Sequence, residues 1–184
     1  MKRLLLLAIA AAALMGPAAR ADEAFDGFRN FCLAGRGASA PALAAADAAG
    51  WMTLPQQFLG QLPQTDFQDA QGRMRTSASG GSLLLTAHGT LPQAGPVRIC
   101  AIGVIPAGVS DLAGQLEAFA GVAKQTADNL PEGLYAWRDD NGRHVSVDRN
   151  APDFRAQVAS GAVLIATTRS TPQMTMILLM SAAQ

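Results

Sequence analysis

Two cysteines, Cys32 and Cys100, constrain the fold of this 184-residue chain more than any other feature. No other cysteine occurs, so a disulfide between them would tie a segment near the N-terminus to the middle of the chain. The alternatives are two buried free thiols or a reactive thiol. A reactive thiol needs a neighbouring base, which the residues around Cys32 do not supply. The choice among these depends on the redox compartment of the protein.

The first 21 residues have the pattern of a secretory signal peptide. A basic start precedes an apolar run over residues 4–15, and Ala19-Arg20-Ala21 offers small residues where signal peptidase cleaves. The run is shorter than the roughly 20 residues that span a bilayer. We therefore expect cleavage after Ala21, with an uncleaved anchor as the alternative, and a periplasmic or secreted protein. An oxidising compartment favours the disulfide between Cys32 and Cys100.

The rest of the chain, residues 22–184, has a length that suits a single domain with its own core. No second apolar run is long enough to span a membrane, so we expect no membrane span after cleavage. Lys124 is the only lysine besides Lys2, and no cluster of Lys and Arg is interleaved with aromatic residues. A nucleic-acid partner is therefore not expected.

The apolar periodicity predicts an α+β fold with a largely antiparallel sheet of about six strands. A helix beginning at Asp22 carries Cys32 on its apolar stripe, and an alanine-rich helix runs from Ser39 to Gly50. A long amphipathic helix is predicted from Ser110 to the region of Pro131, and it should cover the sheet together with the N-terminal helices. The predicted strands lie at 82–89, 97–105, 162–170, 174–182 and on both sides of the Asn141-Gly142 turn.

Residues 53–81 have no sustained period and are predicted to form a long connection with one strand, around Phe67 or Met74. Its length exceeds what a compact domain needs for a connection alone. We therefore predict that this region makes the contacts of the protein, with Trp51 and Phe58 as apolar anchors and Arg73 and Arg75 as polar ones. The alternative for Trp51 and Phe58 is that they pack under the sheet.

No catalytic, metal or cofactor motif is recognised. His88 and His144 lack a second ligand-type residue at metal spacing, and no G-x-S-x-G elbow occurs. Three methionines, Met174, Met176 and Met180, share one face of a predicted strand, and thioethers bind Cu(I). Their spacing is equally that of a buried strand, so we interpret them as core. We expect no catalytic residue, no metal site and no cofactor.

The segment FCLAGRGASAPALAAADAAGW, residues 31–51, resembles a pattern in small exported proteins of Gram-negative bacteria that have no assigned activity. The shared features are Cys32, the alanine-rich helix and Gly50-Trp51. The resemblance implies no catalytic residue. We therefore expect a non-catalytic periplasmic or secreted protein that binds an envelope protein or a small ligand.

A hydrolase of unrecognised type is the alternative function. A cleft lined by His88 or His144 together with a serine or a carboxylate would favour the hydrolase. A smooth sheet face or an exposed strand edge would favour binding.

Overall fold

A computed structural model describes residues 18–60, 67–77, 80–91, 95–108, 110–127 and 130–183. Most of the predicted signal peptide lies outside these ranges, and the predicted cleavage bond after Ala21 lies within the first helix. That helix, α1 (Ala18–Gly27), continues directly into a wider π-helical turn, Phe28–Leu33. The following elements are α2 (Ser39–Ala48), β1 (Met52–Thr53), α3 (Gln56–Leu59), β2 (Gln68–Ser77), β3 (Gly80–Leu91) and β4 (Gly95–Ile105).

The C-terminal half contains two helices and five strands among its described residues. They are α4 (Leu112–Ala120), β5 (Gln125–Ala127), β6 (Leu130–Asp140), β7 (Arg143–Ser146), α5 (Phe154–Ala159), β8 (Val163–Ser170) and β9 (Thr175–Ala182). No helix in the described ranges is long and apolar enough to cross a membrane.

All strands belong to one antiparallel sheet with the order β1-β2-β3-β4-β9-β8-β6, and both β5 and β7 pair with the outer edge of β6. The predicted α+β class and the largely antiparallel sheet are confirmed. The prediction of about six strands is wrong, because the described residues contain nine. The strand expected within residues 53–81 is β2, and the additional strands, β1 and β5, are very short.

The predicted long helix is also wrong. Helix α4 ends at Ala120 because Gly121 adopts a left-handed conformation (φ 61°), and its N–H donates to the Glu117 carbonyl. The chain then forms β5 where the helix was expected to continue. Strand β6 already begins before Pro131. All the helices of the described residues are short, and α1 and α2 have ten residues each.

One face of the sheet is covered by α1, the π-helical turn, α2 and α4. Cys32 and Cys100 form a disulfide. Both cysteines are fully buried. The bridge therefore joins the N-terminal helical layer to β4, near the middle of the sheet.

The opposite face carries a second core, in which Leu54, Leu59, Phe67, Phe154 and Val158 pack on the sheet. Helix α5 contacts β4, β8 and β9, and Arg155 of this helix reaches Gly95, the first residue of β4. Helix α5 therefore covers the end of this face where β4 begins. The end where β4 finishes is covered less completely.

Candidate functional site

Of the two predicted apolar anchors, one is buried and one is exposed. Trp51 packs edge-on against Phe31, with ring centroids 5.3 Å apart, and it belongs to the core on the helical face. Phe58 lies on α3 and is 50% exposed. Only Phe58 therefore presents its ring at the surface.

The two predicted polar anchors form ion pairs within the chain. The Nε and Nη2 atoms of Arg73 lie 2.6 and 3.0 Å from the two carboxylate oxygens of Asp47 on α2. The hydrogen bond from Arg73 lowers the pKa of Asp47. Arg75 pairs with Glu23 of α1 at 2.8 Å. These pairs tie β2 to the N-terminal helices, and binding of a partner by the four predicted residues stays a prediction.

A row of apolar residues crosses five neighbouring strands on the face opposite the disulfide. The register pairs Met52 with Met74, Met74 with Leu83, Leu83 with Gly103 and Gly103 with Met176. Directly paired residues of antiparallel strands point to the same face. These side chains therefore lie side by side from β1 to β9.

Methionine also fills the space above Gly103, which has no side chain. The Sδ atom of Met174 lies 2.8 Å from the position that a Cβ atom of Gly103 would occupy. Met174, Met74 and Leu83 are half-buried, whereas Met52 is 55% exposed. We call the set Met52, Met74, Leu83 and Met174 the methionine strip.

Ile105 extends the apolar surface next to the methionine strip. It lies two residues beyond Gly103 on β4, so it points to the same face, and it is 40% exposed. Single exposed apolar residues are normal on protein surfaces, whereas contiguous ones mark sites of interaction. The strip with Ile105 is such a contiguous surface, and it lies on the end of the sheet face that α5 does not cover.

Sequence reasoning missed the methionine strip because its members come from four separate segments. It grouped Met174 and Met176 with Met180, which the structure places further along β9, paired with Ile99 and Ile165. The expected absence of a copper site at these three methionines stays a prediction. Only the pairing of β1 and β2 reveals that Met52 and Met74 are neighbours.

His144 lies in a pocket of about 330 Å³ formed with Phe119, Ala120, Gly121 and Gly142. Its Nδ1 atom is 3.1 Å from the Ala120 carbonyl, which can only accept, so Nδ1 carries the proton. Its Nε2 atom lies 3.9 Å from a carboxylate oxygen of Asp139. The ring contacts Phe119 and Trp137. The pocket therefore combines an imidazole with a nearby carboxylate.

The other histidine, His88, is 3.8 Å from Asp69, and both side chains are largely exposed. No group of three or more metal-ligating side chains occurs within the described ranges. Comparison with protein-family models, curated proteins and solved structures finds no match for this chain. Its sites can therefore be assigned only from its own residues.

Proposed function

We propose that this protein is an exported, non-catalytic binding module whose protein partner docks on the methionine strip. The observation that carries this proposal is the alignment of Met52, Met74, Leu83 and Met174 on an incompletely covered sheet face. Methionine side chains are flexible and polarizable, which suits them to surfaces that adapt to a partner. The proposal places the protein in the periplasm or outside the cell, which the predicted signal peptide and the disulfide favour.

The partner element that fits this surface best is an amphipathic helix. The strip reaches from Met52 on β1 to Met174 above Gly103 of β4, and these four strands span about 14 Å at the usual strand spacing. A helix of about 10 residues has this length. Elsewhere this sheet is covered by helices on both faces, so a helix from the partner would complete the layer that α5 begins.

An added strand is a weaker fit for the partner. Strand β1 already pairs with Met74 and Arg73 on the outer edge of β2. A β-bulge between Gln68 and Gln71, where Asp69 has a φ of 52°, distorts the pairing of β2 towards its start. Short edge strands and bulges are features that prevent pairing with another chain. The apolar face therefore offers more contact than the strand edge.

Site-specific photo-cross-linking in envelope extract tests this function. A photoreactive residue at position 105, beside the strip, should give a discrete cross-linked protein, and the same residue at the exposed position 143 should not. Met52→Glu places a charge in the contact and should abolish the cross-link. Thr90→Glu, which adds the same charge to an exposed position of β3, should retain it. Equal cross-linking from positions 105 and 143, or a cross-link that survives Met52→Glu, would refute the proposal.

A hydrolase of unrecognised type is the second candidate, because the pocket of His144 with the nearby carboxylate of Asp139 favours it. Against it, neither serine nor cysteine is among the residues that line the pocket. A broad screen with ester, amide and glycoside substrates tests this candidate. Activity that disappears in His144→Ala and persists in His88→Ala would replace the binding function with a catalytic one.

A further inference from the structure

A polar cleft of about 490 Å³ lies beside β5, at the edge of the sheet opposite β1, where the methionine strip begins. It forms because two strands share the outer edge of β6. Strand β5 pairs with β6 at Leu130 and Leu134, whereas β7 pairs with it from Trp137 onwards. The cleft lies between β5 on one side and, on the other, the end of β7 with the segment that follows it.

The side chain of Gln125 holds the walls of the cleft together. Its Nε2 atom donates to the Val147 carbonyl at 2.7 Å, and its Oε1 atom accepts from the Arg149 N–H at 2.9 Å. The Gln125 amide thus donates to one backbone group of the opposite wall and accepts from another. The separation of the walls is therefore fixed before a ligand enters, which lowers the entropic cost of binding.

The lining of the cleft has an excess of positive charge. Lys124 and Arg149 are cationic, and Asp148 is the only anionic side chain among the lining residues. One oxygen of Asp148 accepts from the Asn150 N–H at 2.9 Å, so this carboxylate caps its own loop. The cleft is therefore suited to a ligand with negative charge.

Arg149 supplies the second indication of an anionic ligand. Its Nη1 atom donates to the Thr126 carbonyl at 2.7 Å, which orients the guanidinium group. Arg149 also lines the cleft, so it brings an oriented positive charge to the ligand space.

We propose that this cleft binds a small molecule through a carboxylate or phosphate group. Arg149 and Lys124 provide the charge, and Ser146, which also lines the cleft, provides a hydroxyl. Hydrogen bonds from cationic side chains to such groups are stronger than neutral ones. The site is independent of the methionine strip, so neither proposal depends on the other.

Titration of the full mature protein with inorganic phosphate and, separately, with succinate tests the site by NMR at low ionic strength. At least one probe should give saturable shifts of the amide signals of residues 124–126 and 146–150. Lys124→Gln, which changes an exposed side chain, should weaken binding about tenfold or more. Arg149→Lys should weaken it as well, and Arg143→Gln, outside the cleft, should leave it unchanged.

The two probes also identify the chemistry of the ligand. Binding of phosphate alone indicates a phosphate ester, binding of succinate alone indicates a carboxylate, and binding of both supports recognition of the shared negative charge. The proposal is overturned if neither probe saturates below about 10 mM, which corresponds to very weak binding. It is also overturned if Lys124→Gln binds both probes as tightly as the wild type.

Discussion

Among single residues, Arg73 is a charged side chain whose hydrogen bonds are made within the fold. Its guanidinium group forms a two-point contact with Asp47, and its side chain is only 15% exposed. Arginine favours such contacts because its planar fork matches a carboxylate. The pair orients α2 over β2, on the face opposite the methionine strip.

The Asp47 carboxylate should stabilise the folded protein in a pH-dependent way. Because its pKa is lowered in the folded state, its contribution is present above the ordinary carboxyl value of about 3.9 and is lost as the pH falls through the lower folded value. The wild type should therefore be more stable than Asp47→Asn at neutral pH. Thermal unfolding should show this difference shrinking as the pH falls below about 4. A difference that is unchanged across that range would contradict the account.

Tyr135 provides a second test at the same scale, because it is the only tyrosine in the chain. Burial raises its pKa, and the neighbouring Glu117 raises it further through its charge and a 3.5 Å contact with the hydroxyl. The folded protein should therefore be most stable below the ordinary tyrosine value of about 10 and lose stability as the pH rises through the raised pKa.

Absorbance of the tyrosinate ion, measured against pH, reports Tyr135 alone. Its midpoint should lie above about 10 in the folded protein. Glu117→Gln should lower the midpoint only partly, because burial is the larger cause. A wild-type midpoint at the ordinary value, in protein that is still folded, would contradict the assigned environment.

At the scale of the element, glycine decides where α4 ends. The apolar pattern of α4 continues past Ala120, which is why the sequence predicts a longer helix. Gly121, however, adopts a left-handed conformation with nothing near its Cα that would obstruct a side chain. Left-handed residues end helices frequently, and glycine adopts this conformation without steric cost. Several positions before Pro131 are compatible with the end of a helix, so the sequence alone does not show that α4 ends at Ala120.

Substitution of Gly121 should therefore affect stability through backbone conformation alone. Gly121→Ala should destabilise the protein by about 1–2 kcal/mol, the cost of a left-handed L-residue. Gly121→Asn should cost less, because asparagine tolerates this conformation. Urea unfolding of both variants checks the order. Equal stability of Gly121→Ala and the wild type would show that α4 does not end as described.

The disulfide connects the π-helical turn to β4, two elements that are far apart in the sequence. Replacing both cysteines with alanine, in Cys32→Ala/Cys100→Ala, frees a loop of 68 residues, for which the chain-entropy estimate is about 4 kcal/mol. Urea unfolding without reductant should show a loss of about 2–5 kcal/mol. The wild type in reductant should move towards the double variant. A double variant as stable as the oxidised wild type would contradict a stabilising bridge.

The sequence predicts best the elements that are marked by nearby residues in the chain, such as turn residues or an apolar run. Asn141 and Gly142 have positive φ angles of 51° and 80°, as the two-residue turn between β6 and β7 requires. The strands around the disulfide are nearly continuous apolar runs. Strand β2 is different, because its sequence QDAQGRMRTS shows no apolar alternation. It becomes a strand through pairing with β3, and its contribution to the surface follows from that tertiary contact.

The part of the chain that the structure describes forms one sheet with a core on each face, and the two faces are covered unequally. Three helices and the π-helical turn cover the face with the disulfide. The other face has α5 at one end, and at the other end Met52, the half-buried members of the strip and Ile105 reach the surface. This asymmetry is a property of the assembled sheet, which is why neither the predicted site residues nor the methionine spacing indicated it.

Oxidative footprinting of methionine tests the proposed binding surface most directly, because the side chains in question report their own exposure. In the purified protein, Met52 should be oxidised rapidly and Met180, which is 5% exposed, slowly. In intact cell envelopes, we predict that the partner protects Met52, Met74 and Met174, while an exposed control residue, His88, is labelled as in the purified protein. Equal oxidation of Met52 in envelopes and in the purified protein would contradict the account.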